Sequence, residues 1–425
     1  MSIMVETGGD DVTAALAGPA ERLSPSLNTV LTFSLCFAAA LSEGYGLQAA
    51  GLAAPKLVPV FHLSPGQLGW VFSGNTSGLF LGAAIGGWIA DRVGRRIVLI
   101  ASMLAFGVFS LVTPLAPTPD ILILMRFLTG LGLGGAMPNL IALCAETGGG
   151  DRATKVTMLT AGVPFGGALA SLYVFSSGPE LDWRQIFYVG GIAPIVVALV
   201  MMFFLSESRA FVDQSRKKIK EGDARRANPL FVLFGEDRAL KTVLLWSAGF
   251  FTLVILYLLL NWLPVLLISK GLTRPQATLA TMVFSFGGGG GAIVLGFLMA
   301  KISQRLIITF VYAGIAAGLL ALATMSHSPQ LLATAAFFLG FFVVGAQYLL
   351  YGLTPTYYPA VMRGAGVGWA VAVGRLGSVA GPALAAALLS SGRGASDVLG
   401  ALMPMVAIGC LAVLALIWKP YRLID

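Results

Sequence analysis

Twelve apolar stretches, each at least 20 residues long, run through this chain at 29–52, 67–90, 97–116, 120–145, 155–176, 185–205, 241–267, 275–300, 305–325, 329–353, 364–390 and 397–418. About 20 apolar residues is what a helix needs to cross the hydrocarbon core of a bilayer. In lipid every backbone N–H and C=O must be satisfied within the protein, which a helix does by itself. The remaining composition agrees, with 57% apolar residues, 11% charged residues and a mean hydropathy of +0.86. Soluble domains carry about 25% charged residues. These features exclude a cytosolic enzyme, a secreted disulfide scaffold and a disordered chain. The expected fold class is an all-α membrane protein of twelve transmembrane helices.

One long polar stretch, from Glu207 to Lys241, divides the twelve into six and six. The domain reading is therefore a cytoplasmic tail at 1–28, a six-helix bundle at 29–206, a cytoplasmic linker at 207–240, a second bundle at 241–418 and a cytoplasmic tail at 419–425. Residues 1–28 have Arg22 as their one basic residue and lack the basic region and cleavage site of a signal peptide. With the linker on the cytoplasmic side, twenty Lys and Arg fall on that side, five on the other and two within helices. By the positive-inside rule both termini are cytoplasmic. The net charge of +8 thus reports membrane orientation, and no nucleic-acid partner is expected.

Cys36, Cys144 and Cys410 sit singly in apolar stretches, and His62 and His327 in short loops, so no metal and no cofactor is expected. No P-loop, H-E-x-x-H or nucleophile–histidine–acid set is present, which argues against an enzyme.

The two halves look related. Gly87-x-x-x-Asp91-Arg92-x-Gly94-Arg95-Arg96 follows the second stretch, and Gly296-x-x-x-Ala300-Lys301-x-x-x-Arg305 follows the eighth. A parallel repeat of six helices is one organisation of secondary transporters. The loop from Gly87 to Arg96 resembles the best-known signature of the major facilitator superfamily. Arg126-x-x-x-Gly130-x-Gly132-x-Gly134-Gly135 and Gly162-x-Pro164-x-Gly166-Gly167 resemble two more of its motifs, and Trp183-Arg184-x-x-Phe187 is typical of it. More narrowly, the run Glu43 to Gly51 is similar to helix 1 of the aromatic acid:proton symporter family. The runs Pro138 to Leu143, Asn261 to Pro264 and Ala370 to Gly377 point to its 3-hydroxyphenylpropionate transporter-like branch. The resemblance implies two pseudo-symmetric six-helix bundles in a bacterial inner membrane. One departure stands out. That family's helix 1 usually carries a second acid, an aspartate, where this chain has Gly46; the chain then couples differently, couples through Glu43 alone, or is an altered form.

A charge at a helix centre in the bilayer costs roughly 2.5–3.5 kcal/mol on insertion scales, so each one calls for an explanation. Glu43 lies near the middle of the first stretch, where low dielectric disfavours the charged form and suits a carboxyl that exchanges protons. The alternatives are a fixed ion pair or a neutral hydrogen-bonded acid. Arg375, near the middle of the eleventh stretch, offers a permanently charged planar fork suited to a carboxylate; the alternative is a permanent partner for Glu43 or for backbone carbonyls. Family likeness links Arg126 to proton coupling and to packing, although it lies nearer the outer mouth.

Polar and aromatic side chains on expected helices complete a candidate substrate cavity: Tyr45, Gln48, Asn75, Asn139, Tyr257, Asn261, Trp262, Gln347, Tyr348 and Tyr351. For each single aromatic, helix packing is the competing reading. The motif residues Gly87, Asp91, Arg92, Gly94, Arg95 and Arg96, with Glu146, read as a gate. In that gate Asp91 faces the N-terminus of a helix from the other half, and Arg92 and Arg96 pair with Glu146. The function expected is a monomeric proton-coupled symporter importing small aromatic carboxylates, such as hydroxyphenylpropionate or hydroxybenzoate, by alternating access. The alternative is a proton-driven exporter or organic-anion exchanger of the same fold.

Overall fold

The structure, a computed structural model, describes residues 25–146, 152–207, 233–235, 238–299, 301–325, 328–358 and 363–418. Most of the expected N-terminal tail, the linker residues 208–232, His327 and the tail from 419 lie outside the described residues. The helices are α1 (Pro25–Phe61), α2 (Pro65–Val93), α3 (Arg95–Val112), α4 (Pro119–Glu146), α5 (Arg152–Ser176) and α6 (Trp183–Phe204). After the linker come α7 (Ala239–Ser269), α8 (Arg274–Met299), α9 (Gln304–Thr324), α10 (Pro329–Leu353), α11 (Arg363–Ser390), α12 (Ala395–Gly400) and α13 (Met403–Trp418). Among the described residues there is no strand.

Helix starts are written in short local motifs. Ser64 accepts from the Gln67 backbone N–H at 3.3 Å while the Gln67 side chain accepts from the Ser64 N–H at 3.0 Å, a reciprocal cap with Pro65 at the first helical position. Asp182, Ser303 and Ser328 cap α6, α9 and α10 one way only, each side chain accepting from a backbone N–H of the first turn. The connection between α2 and α3 is the single residue Gly94, whose φ of 101° and ψ of 153° lie in a region essentially restricted to glycine.

Two boundaries differ from the sequence reading. The first helix runs nine residues past 52, through Pro55 and Pro59. It is held there by the Lys56 ammonium, which donates to the carbonyls of Pro179 and Leu181. The single stretch 397–418 is two helices broken at Ala401–Leu402, because Pro404 has no N–H to give the Gly400 carbonyl. Among the described residues, eleven spans are long and apolar enough to cross a membrane; α2 falls short because glycines and Ser73, Asn75, Thr76 and Ser77 dilute its 29 residues. Around the outside, Trp70, Trp88, Phe297, Leu306 and Leu411 are exposed, as suits a surface solvated by lipid tails.

The same glycine-mediated contacts recur in both halves. In α2 against α4, a Cβ on Gly78, Gly82, Gly130 or Gly134 would overlap a backbone oxygen of the facing helix; in α8 against α10, so would one on Gly287, Gly291 or Gly340. Backbones this close are what small residues allow in membrane helices, and the repetition is the structural form of the sequence repeat. The halves meet along α1–α7, α2–α11 and α5–α8. The turns at His62 and Gly94 mark two rims between which all the helices run. Toward the His62 rim, Ser73 Oγ donates to Val379 O at 3.1 Å, Phe72 meets Trp262 edge-on at 5.2 Å, and Arg274 donates to Pro55 O at 3.4 Å. Toward the Gly94 rim, Tyr348 Oη donates to Thr160 O at 2.8 Å.

Candidate functional site

Glu43 is the midpoint of the 37-residue α1. Its side chain is 2% exposed, and Oε2 is enclosed without a hydrogen-bond partner. Arg375 lies twelve residues into α11. Its Nη1 donates to the Tyr257 hydroxyl at 2.6 Å while Nε has no partner. Tyr257 is itself buried in α7, so this bond fastens α11 to α7 at mid-depth. Gly377 and Gly381 allow that approach, for a Cβ on either would overlap a carbonyl of α7. Glu43, Arg375, Tyr257, Tyr348 and Tyr351 act on one another electrostatically, and the Tyr348 and Tyr351 rings meet edge-on at 6.1 Å. The acid comes from the first six helices; the base and the three phenols come from the second six. They form one cluster between the halves.

Removing the tether should be felt at the base. Tyr257→Phe deletes one hydrogen bond to a charged group, worth about 1.5 kcal/mol or on the order of tenfold. It should raise the KM for a carboxylate by about that factor with kcat nearly unchanged. A titration of uptake rate against substrate concentration checks this, and an unchanged KM would detach Tyr257 from the site.

Gln48 lies just over one turn beyond Glu43 and accepts from Ser285 Oγ across the α1–α8 approach at 3.1 Å. Its Nε2, with Tyr45 Oη, Asn75 Oδ1 and Gln347 Oε1, is enclosed without a protein partner. Buried polar atoms in that condition are uncommon and costly unless something else meets them. Ser285 was not among the residues singled out from sequence; a hydroxyl just before a glycine run was its only signal.

Other residues read as one cavity are distributed differently. Asn139 donates to Gly135 O and Asn261 to Tyr257 O, each 2.8 Å within its own helix. Trp262 donates to Pro382 O at 3.1 Å and packs on Phe72, which places it in the seam toward the His62 rim. Arg126 occupies a pocket of its own, 1% exposed, donating from Nη2 to Thr113 Oγ1 at 2.6 Å and Thr129 Oγ1 at 2.9 Å. The Phe187 ring lies 4.5 Å beneath its guanidinium. None of these partners is acidic, and Glu43 is not among them.

The gate residues also pair differently. The arginine bonded to Glu146 is Arg95, not Arg92 or Arg96. Arg92 stacks over Trp88 at 3.5 Å, and Arg96 donates to Met202 O at 2.6 Å. The backbone N–H groups of Arg95 and Arg96 both donate to Glu207, an anion at the N-terminus of α3 where the macrodipole favours one. The cause is the turn at Gly94, which starts a new helix at Arg95 and so changes which side of the loop each arginine occupies. Asp91 is exposed, with no hydrogen bond to the other half among the described residues. A Cβ on Gly87 would meet nothing within 4 Å.

A bilayer-length all-helical fold in two halves, with an acid and a base held between them, defines a multi-pass membrane transporter and not an enzyme. The Major Facilitator Superfamily model matches residues 36–382 and 269–424. The chain belongs to that superfamily. It is 42% identical to the 3-(3-hydroxy-phenyl)propionate transporter of Escherichia coli (strain K12), over 94% of this chain and 97% of that one. It is 33% identical to the 4-hydroxybenzoate transporter PcaK of Pseudomonas putida, over 89% and 90%, and 31% identical to the gallate transporter of the same species, over 86% of each. Among solved structures, the crystal structure of the D-xylose-proton symporter superposes with a TM-score of 0.73 at 19% identity, covering 92% of this chain and 97% of that one.

Proposed function

We propose that this chain is a proton-coupled symporter that imports small aromatic carboxylates by alternating exposure of the Glu43–Arg375 cluster to the two sides of a bacterial inner membrane. The observation that carries the proposal is the pair itself. A carboxyl with an unpartnered oxygen and a guanidinium whose Nε is unpartnered share one cluster at mid-depth, each on a different half of the molecule. Arg375 holds the substrate carboxylate. Glu43 takes and releases the proton. Tyr257, Tyr348, Tyr351, Gln48 and Gln347 offer rings and amides to a hydroxylated ring. The names of the relatives, all aromatic acid transporters, support this substrate class. The Gly94 rim is the cytoplasmic one, with both termini beside it, on the strength of the Lys and Arg excess there. The contacts of Arg95, Arg96 and Glu146 belong to the gate at that rim, and a single chain suffices for the cycle.

The test is uptake into proteoliposomes with an alkaline interior, across 3-(3-hydroxyphenyl)propionate, 4-hydroxybenzoate, gallate and the aliphatic acid hexanoate, with protein-free liposomes subtracted. Aromatic acids should enter, at a rate that rises with the pH gradient. Equal entry of hexanoate would refute the substrate class, and indifference to the gradient would refute the coupling.

A further inference from the structure

Resting on that reading, we infer that the cycle moves one proton with each singly charged carboxylate, so that net uptake carries no charge and the site rejects dicarboxylates. The charge inventory at mid-depth is the ground for this. Among the described residues, the helices carry Glu43, Asp91, Asp120, Glu146 and Asp397 as acids. Asp91 and Glu146 lie at the ends of α2 and α4, Asp120 and Asp397 in the first turns of α4 and α12. Glu43 is thus the one carboxyl at depth. The position three residues on, Gly46, has no room for another, since a Cβ there would lie 2.5 Å from the Phe106 ring.

Among the described residues, two arginines are enclosed within the spans near that depth, and they differ: Arg126 lies toward the His62 rim, beside Thr113 just past the end of α3, and Arg375 at mid-depth. Arg126 is matched to hydroxyls and a ring inside the first six helices, so its charge stays constant through the cycle. Arg375 faces Glu43. The other polar groups of the cluster, Tyr257 on α7 and Tyr348 and Tyr351 on α10, are phenols, which add neither a second carboxyl nor a second cation.

With no substrate, ionised Glu43 balances Arg375. With a monocarboxylate on Arg375, protonated Glu43 restores the balance. The proton is gained and lost at a Glu43 carboxyl oxygen, and the guanidinium keeps its own throughout. Both states that must reorient across the low-dielectric interior then have a neutral cluster, which avoids the cost of moving a net charge there. A second proton would need a second carboxyl, and a second substrate carboxylate would need another cation. Neither is present among the described residues of the cluster.

The experiment uses the wild-type protein in liposomes with 3-(3-hydroxyphenyl)propionate as probe. Initial uptake is measured at membrane potentials of zero and about −120 mV, a span worth on the order of 100-fold for one net charge. Trapped pyranine reports protons entering, and currents are read on solid-supported membranes. The expected result is one proton per substrate, no sustained current, uptake unchanged by voltage, and no uptake of phthalate dianion. Two protons per substrate, a sustained current, voltage-dependent uptake or phthalate entry would each overturn the inference while leaving aromatic acid symport standing. Absence of proton-linked uptake of any aromatic acid would bring down the parent reading, and this one with it.

Discussion

Reconstituted Glu43→Gln protein should exchange external for internal 3-(3-hydroxyphenyl)propionate at a rate within a few-fold of wild type, and should show no protein-dependent net uptake driven by a pH gradient. Glutamine fills the volume of the protonated acid and keeps a neutral polar group beside Arg375, so the loaded state is preserved in size and charge. The unloaded state is not. Without an ionisable carboxyl, Arg375 is left unbalanced in the empty carrier, and return of that form across the membrane becomes the costly step. Exchange avoids the empty form; accumulation requires it. A gradient of about two pH units is worth roughly 100-fold in concentration for one proton, and the variant forfeits all of it. Counterflow and gradient-driven uptake measured on one preparation separate these outcomes. Full gradient-driven uptake by the variant would remove Glu43 from the mechanism, and loss of both activities would give it a role in binding.

How much of this was legible in the sequence depends on which signal was one-dimensional. Bilayer-length apolar runs and the polar stretch after Glu207 set the helix count and the division into six and six, because hydropathy over ~20 residues needs no partner to be read. Glu43 and Arg375 stood out for the same reason, being charges within such runs. Arg126 gave an identical signal, yet it is met by Thr113, Thr129 and Phe187 within its own half; hydropathy does not say which helices face each other. Asn139 and Asn261 likewise spend their amides on their own helices. The choice of Arg95 over Arg92 and Arg96 for Glu146 depends on a turn at one glycine, and the occupation of the space beside Gly46 by Phe106 depends on how α3 packs on α1. Both are tertiary facts. The break before Met403 was written in Pro404 but was masked by an unbroken apolar run.

Arg375→Ala should weaken uptake of 3-(3-hydroxyphenyl)propionate much more than that of its primary amide. A charge-assisted bond to a carboxylate in an enclosed site is worth about 3 kcal/mol, on the order of 100-fold in affinity. The amide carries no charge for the guanidinium to meet, so its loss should stay within a few-fold. Arg375→Lys keeps the charge but not the planar fork that reaches Tyr257 and a carboxylate together, and should fall between, about tenfold down for the acid. Competition by acid and amide against a common labelled substrate reads the difference directly, and a monodisperse profile in detergent shows that the variants are folded. Equal losses for acid and amide would mean that Arg375 holds the helices together through Tyr257 and does not touch the substrate charge. The same comparison bears on Glu43: with the base gone, nothing in the cluster balances its ionised form, so the alanine variant should also lose the coupling of uptake to the pH gradient. An Arg375→Ala protein that still accumulates the acid against a gradient would show that proton and substrate are handled at separate places.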